Sequence, residues 1–317
     1  RMKPFASRTL FLALMAIGGG AVAFAQAGKA AEPLALVRAN VLDVRTGRIA
    51  ANQTVVLRDG KIENISGATA AAGMKTIDMA GRTLVPGLAD AHTHISNFAA
   101  ARRALKSGVT TVRSSGASLF IDVGLRDLVK AGGLPGPDVL ASGYHVRERL
   151  AEEAFISDPA LSDLMGGVRT IADIRRVVRM NLARGVDWIK INATERAGTA
   201  DTDPRKQMWN EGEIRAIVEE AALKGVRVQA HAHGAEGASA AVKAGVASIE
   251  HGTYLTDEAL DMMKLKGIAF VPTYSTVIDL AEPGGDYDQP ALILRGQAML
   301  PRLAEVVRKA HQKGVLI

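Results

Sequence analysis

The chain has 317 residues, with 39 Lys and Arg against 33 Asp and Glu, a net charge of +6 and no cysteine. The absence of cysteine excludes a disulfide framework and thiolate metal ligands, so any metal must be held by His, carboxylate or a modified side chain. The mild basic excess, with no dense basic stripe along the chain, excludes a nucleic-acid-binding surface.

Arg1, Lys3 and Arg8 precede an apolar run over 10–17 and a small-residue stretch over 18–27. This is the layout of a secretory signal peptide, with Ala25-Gln26-Ala27 as the small-x-small cleavage pattern. Residues 1–27 carry those three cations and no acid, so cleavage takes the net charge from +6 to +3. The expected location is secreted or periplasmic, with no stable membrane insertion after cleavage. Because the apolar stretch continues weakly to Phe24, an N-terminal anchor is the alternative.

Residues 28–83 read as a small β domain, expected as a β-sandwich, with strands over 34–39, 54–58, 61–65 and 76–78. Arg45-Thr46-Gly47 and Asp59-Gly60 are turn signals, the second favouring a two-residue hairpin. From residue 84 onward the pattern becomes apolar strand, glycine-bearing bend, then helix, repeated. Strands are predicted over 84–90, 110–114, 139–142, 188–192, 226–230, 248–250 and 269–272. Helices are predicted over 171–184, 211–224, 235–244, 256–266 and 290–313, two of them closing at Lys224-Gly225 and Lys266-Gly267. Strict β-then-α alternation implies a parallel sheet. With no phosphate-type glycine fingerprint after the first strand, a TIM-like (β/α)8 barrel over 84–317 outranks an open doubly wound sheet. Residues 314–317 read as the start of an eighth strand.

Six of the seven histidines fall at or just past predicted strand ends: His92, His94, His145, His231, His233 and His251. In an extended segment residues two apart face the same way, so His92 and His94 can reach one ion. A single His-x-His is weak evidence. In a barrel, however, the strand ends share one mouth, where histidines far apart in sequence meet. Lys190 lies inside the apolar run 186–191, where an unpaired charge is costly.

Four segments in this order, 85–94 (VPGLADAHTH), 188–191 (WIKI), 229–234 (QAHAHG) and 249–253 (IEHGT), resemble the amidohydrolase superfamily. Within it they are similar to the secreted imidazolonepropionase-like and Xaa-Pro or Xaa-Arg dipeptidase-like enzymes. The resemblance implies two divalent ions, usually zinc. One would be held by His92 and His94 and the other by His231 and His251, with Lys190, carboxylated by CO2, between them. It implies amide hydrolysis of a dipeptide or related small molecule by a metal-bridged hydroxide. His145, His233 and Tyr254 are the candidate substrate contacts, with packing or hydrogen-bonding roles as the alternatives. Arg113 and Arg196 are further strand-end cations that suit a carboxylate.

Two expectations compete with this one. His233-Gly234-Ala235-Glu236 matches the His-x-x-Glu of deaminase members, although Glu236 already lies in the following helix. The superfamily's general-base aspartate, expected just past an eighth strand, lies beyond Ile317. The chain read this way is therefore a fragment of a complete hydrolase with little activity of its own, the alternative being a non-catalytic metal-binding protein. Homo-oligomer formation is left open.

Overall fold

The structure is a computed structural model that describes residues 32–70 and 72–317. The expected signal peptide lies outside the described residues. The chain divides into two compact units, one ending at Pro86 and one spanning Gly87–Ile317.

The first unit has five strands: β1 (Leu34–Leu42), β2 (Ile49–Arg58), β3 (Lys61–Ser66), β4 (Lys75–Asp78) and β5 (Thr83–Leu84). They form one sheet in the order β3-β2-β1-β4, with β5 also on β1. β2 runs antiparallel to β1 and β3, while β4 and β5 run parallel to β1. Asp59 and Gly60 both have positive φ, 49° and 72°, as the tight β2–β3 hairpin requires. The expected β-sandwich is a single sheet among the described residues. Its apolar core is accordingly thin, with Ala35, Ala39 and Val55 buried.

In the second unit strands and helices alternate: β6 (Leu88–Thr93), α1 (Phe98–Lys106), β7 (Val109–Ser114), α2 (Ile121–Lys130), β8 (Asp138–Leu140), α3 (Glu152–Ser157), α4 (Ile171–Ala183) and β9 (Trp188–Asn192) come first. They are followed by α5 (Glu211–Ala222), β10 (Arg227–Ala232), α6 (Ala235–Ala244), β11 (Ser248–His251), α7 (Asp257–Lys266), β12 (Ala269–Val271), α8 (Tyr274–Ala281) and α9 (Pro290–Lys313). The strands make two parallel sheets, β6-β7-β8 and β9-β10-β11-β12. Segment 141–146 stitches them together. The Trp188 N–H donates to the Ala141 carbonyl at 3.0 Å, and the Val146 N–H donates to the Lys190 carbonyl at 2.8 Å. Strand order therefore follows chain order without the reversal of a doubly wound sheet. The expected barrel is not closed among the described residues, since no ladder joins β12 to β6. Next to β12, the Phe270 N–H donates to the Leu316 carbonyl at 2.8 Å.

Local chemistry explains the helix boundaries. Thr170 and Asn210 begin α4 and α5 with reciprocal capping boxes to Asp173 and Glu213. Gly245, Gly267 and Gly314 end α6, α7 and α9 in the left-handed conformation. β9 and β11 are buried along their whole length, whereas β6, at a sheet edge, is exposed from Leu88 to Ala91.

Candidate functional site

Parallel strands end on one side, and their ends carry the polar residues. His92 is the penultimate residue of β6, Lys190 is the third of β9, His231 the fifth of β10, and His251 the last of β11. His94, His145 and His233 follow their strands. All six of these histidines and Lys190 line one cavity of about 510 Å³. The rings of His231 and His251 lie 4.4 Å apart between centroids, those of His92 and His251 4.9 Å, and those of His92 and His94 5.6 Å.

Each imidazole is fixed through one nitrogen. His92 Nδ1–H donates to Glu250 Oε2 at 2.7 Å. Glu250 is fully buried and is held in turn by Arg113 Nη2 at 2.8 Å and Ser248 Oγ at 2.5 Å. His94 Nδ1–H donates to the Gly116 carbonyl at 3.1 Å, and His145 Nδ1 pairs with Asn192 Oδ1 at 2.8 Å. His233 Nδ1 pairs with Thr253 Oγ1 at 2.9 Å. His251 Nδ1–H donates to Thr273 Oγ1 at 2.7 Å, because that hydroxyl gives its own hydrogen to the Pro272 carbonyl. These five rings keep Nε2 for other use. His231 is the reverse: its Nε2–H donates to the Glu195 carbonyl at 3.1 Å and Nδ1 carries the lone pair.

Burial disfavours charge on every one of these rings. It lowers His92 to about 4 and His145 and His233 to about 3, with the Lys190 charge adding to the effect. His94, His231 and His251 are also lowered, burial again being the main cause. Neutral imidazoles are metal ligands, so the cluster has ligand chemistry at neutral pH. Burial alone would raise the Glu250 carboxyl, but the bond from His92 and the Lys190 and Arg113 charges outweigh it and hold it low. Lys190 is 1% exposed, its Nζ has no hydrogen-bond partner among the described residues, and burial lowers it to about 8. A buried, unpartnered amine is costly unless something else completes its surroundings.

Not every residue falls where the sequence suggested. His233, read as a substrate contact, forms a triad with His231 and His251 in which one ligand atom from each lies within 4.8 Å of the others. Tyr254 does not line the cavity, whereas Tyr287 does. Arg113 is turned inward, donating to the Ala91 carbonyl, Ser248 and Glu250 and lying 4.7 Å from the Trp188 ring. Arg196 lines the cavity, together with Arg147, which the sequence reading passed over. Glu236 is exposed on the first turn of α6 and borders a different, open pocket, so the deaminase arrangement is not assembled. Gly116 was also unmarked. It has φ of +111°, and a Cβ there would lie 2.0 Å from the His145 ring. Thr273 has φ of 47°, rare for a β-branched residue. Neither has a motif; both sit one strand away from the histidine they serve.

The sequence model of the amidohydrolase family matches residues 83–317. The ochratoxinase of Aspergillus niger is 30% identical over 270 residues, covering 73% of this chain and 55% of the relative. The chain thus spans about half the length of that curated relative. A solved Xaa-Pro dipeptidase with bound methionine in its active site superposes with a TM-score of 0.79 at 27% identity, over 90% of this chain and 78% of the other. A putative prolidase from Bifidobacterium longum gives 0.75 at 31% identity, over 90% and 72%.

Proposed function

The chain belongs to the amidohydrolase family, and from that premise we propose that the whole protein is a metal-dependent hydrolase that cleaves the amide bond of a dipeptide or related small molecule in the histidine-lined cavity. The observation that carries this reading is the convergence of six neutral imidazoles on a buried lysine amine with no partner. It is joined by the similarity to a Xaa-Pro dipeptidase and an ochratoxinase.

The residues fit a pair of divalent ions. His92 and His94 would offer Nε2 to one ion, and His231 Nδ1 and His251 Nε2 would hold the other, with His233 Nε2 close to these last two. Lys190, buried among these rings without a partner among the described residues, would serve as a further ligand if carboxylated to a carbamate. Its lowered basicity leaves neutral amine at mildly alkaline pH, which adds to CO2 with loss of one proton and becomes an anionic oxygen ligand. A donor set of imidazole nitrogens and a carboxylate-type oxygen suits zinc among the borderline divalent metals. When bound, such ions supply Lewis-acid polarisation of a substrate carbonyl and an activated water.

The protein's own contribution is positioning. The Arg113–Glu250–His92 chain fixes the ring and tautomer of His92, and Thr273 does the same for His251. His145, anchored by Asn192, keeps Nε2 as a contact for substrate. Replacing Lys190 by Ala should remove at least half of the bound divalent metal, read by elemental analysis, and abolish dipeptide hydrolysis by the whole protein. Full retention of both in Lys190→Ala would sink the assignment.

A further inference from the structure

The part of the cavity lining that the histidines leave has a chemistry of its own. Arg147 and Arg196 both line it, and no acidic residue does among the described residues. Among the described residues neither guanidinium makes an ion pair or a side-chain hydrogen bond, whereas other arginines, such as Arg126 and Arg175, are paired. Arg147 is half-buried beside a second cation. Burial, then the Arg196 charge, works against its ionised form, with Glu153 offsetting only part. Two like charges facing one cavity, the half-buried Arg147 and the exposed Arg196, repel one another and favour an anionic ligand between them.

The loop that carries Arg196 is built rather than loose. The Arg295 guanidinium, from α9, donates to four of its carbonyls, those of Ala197, Thr199, Ala200 and Thr202, at 2.6–3.2 Å. Thr202 Oγ1 sits 2.5 Å from the Arg196 carbonyl oxygen, and Glu195 is tied to Lys206 and to the Asp203 N–H. Gly198 admits the Tyr287 ring, whose Cε1 would lie 2.4 Å from a Cβ at that position. Beside the arginines the wall is apolar, formed by Leu150, Val277, Leu280 and Tyr287.

We propose that Arg147 and Arg196 form an anion clamp for the free α-carboxylate of an N-acylated amino acid, and that the adjoining apolar wall takes that amino acid's side chain. This rests on the reading of the cavity as a hydrolase site and narrows it. A substrate ending in Lys or Arg would bring a further cation to a wall that holds two guanidiniums and, among the described residues, no acid to receive it. A bidentate guanidinium–carboxylate contact suits the clamp, and its loss is expected to cost about tenfold or more in affinity.

Calorimetric titration of the metal-loaded protein with three probes tests this: N-acetyl-L-phenylalanine, its neutral carboxamide, and N-acetyl-L-arginine. The free acid is expected to bind about tenfold or more tighter than either of the others. Arg147→Gln and Arg196→Gln should each erase most of that preference without changing affinity for the carboxamide. If Arg147→Gln does not fold, Arg147→Lys combined with the exposed Arg196→Gln carries the test. Equal binding of acid and carboxamide, preference for the arginine probe, absence of binding, or a preference unchanged in both variants overturns the clamp. Hydrolysis of the same probes by the whole protein separates the two readings. Selective binding of the acid without cleavage of any probe leaves the clamp and removes the reaction, whereas equal cleavage of acid and carboxamide does the opposite.

Discussion

Two His-x-His segments are spelled alike in this chain and stand in different surroundings. His231 and His233 end β10, flanked by β9 and β11 and buried with them. His92 and His94 end β6, an edge strand whose first four residues are exposed. The β10 pair combines burial on both flanks with bonds to the Glu195 carbonyl and Thr253. The β6 pair depends instead on polar partners from elsewhere: Glu250, 158 residues away, and the Gly116 carbonyl on the neighbouring strand's exit. A motif supplies the ligands, and a second set of residues decides whether they hold still.

The largest effect should come from removing the long-range partner. Glu250→Ala strips His92 of its acceptor and leaves the buried Arg113 charge unpaired. A loss of roughly 3–5 kcal/mol in stability is expected, read by denaturant unfolding, with weakened metal retention. Glu250→Gln, which keeps the shape and loses the charge, should sit between the two. A wild-type metal content in Glu250→Ala would show that β6 needs no such support.

Gly116→Ala comes next. It places a methyl where the His145 ring lies and forces alanine into φ of +111°. Strain of this kind costs about 1–3 kcal/mol. The displaced backbone also carries the carbonyl that anchors His94, so metal content should fall along with stability.

pH distinguishes the two pairs by a different route. For a histidine lowered by burial, the unfolded chain takes up its proton first as pH falls. Stability is therefore lost from about pH 6.5 downward towards the folded value. His233, lowered to about 3, and His92, lowered to about 4, should both contribute over that window. The melting temperature of the metal-free protein is expected to drop between pH 7 and pH 5. His233→Asn should flatten that drop more than His94→Asn, since the partly exposed edge holds His94 less firmly. Equal flattening would erase the electrostatic distinction between the pairs.

How much of this was legible in the sequence follows from the range of each interaction. The strands of the second unit and the gathering of six histidines are local patterns, an apolar run closed by polar residues, and the structure brings all six to one cavity. Strand 49–53 was missed because Ala-Ala-Asn-Gln has little strand propensity and is held by its ladder to β1. The segment 249–253 does not reveal the role of Glu250, because its partners His92 and Arg113 lie on β6 and β7. Arg113 was weighed for substrate because a strand-end cation looks the same whether it faces a cavity or a buried carboxylate. Tyr254 stays off the cavity lining and Tyr287 joins it for a similar reason: loop direction is not written in residue type.

The smallest expected effects bear on the least settled residue, His233. Thr253 and Thr273 each present a hydroxyl to one ring of the His231, His233 and His251 triad. Valine in place of either keeps the β-branched shape, and at Thr273 it keeps the backbone strain, so only hydrogen bonds are lost, one at Thr253 and two at Thr273, at about 1 kcal/mol each. Loosening the partner of a metal-bound histidine typically lowers metal affinity about tenfold or more. Thr273→Val should therefore weaken metal retention through His251 whatever His233 does. If Thr253→Val weakens it equally, His233 belongs among the ligands. If Thr253→Val leaves metal content intact and raises KM instead, His233 faces the substrate, and the β10 motif divides its two histidines between the metal and the molecule being cut.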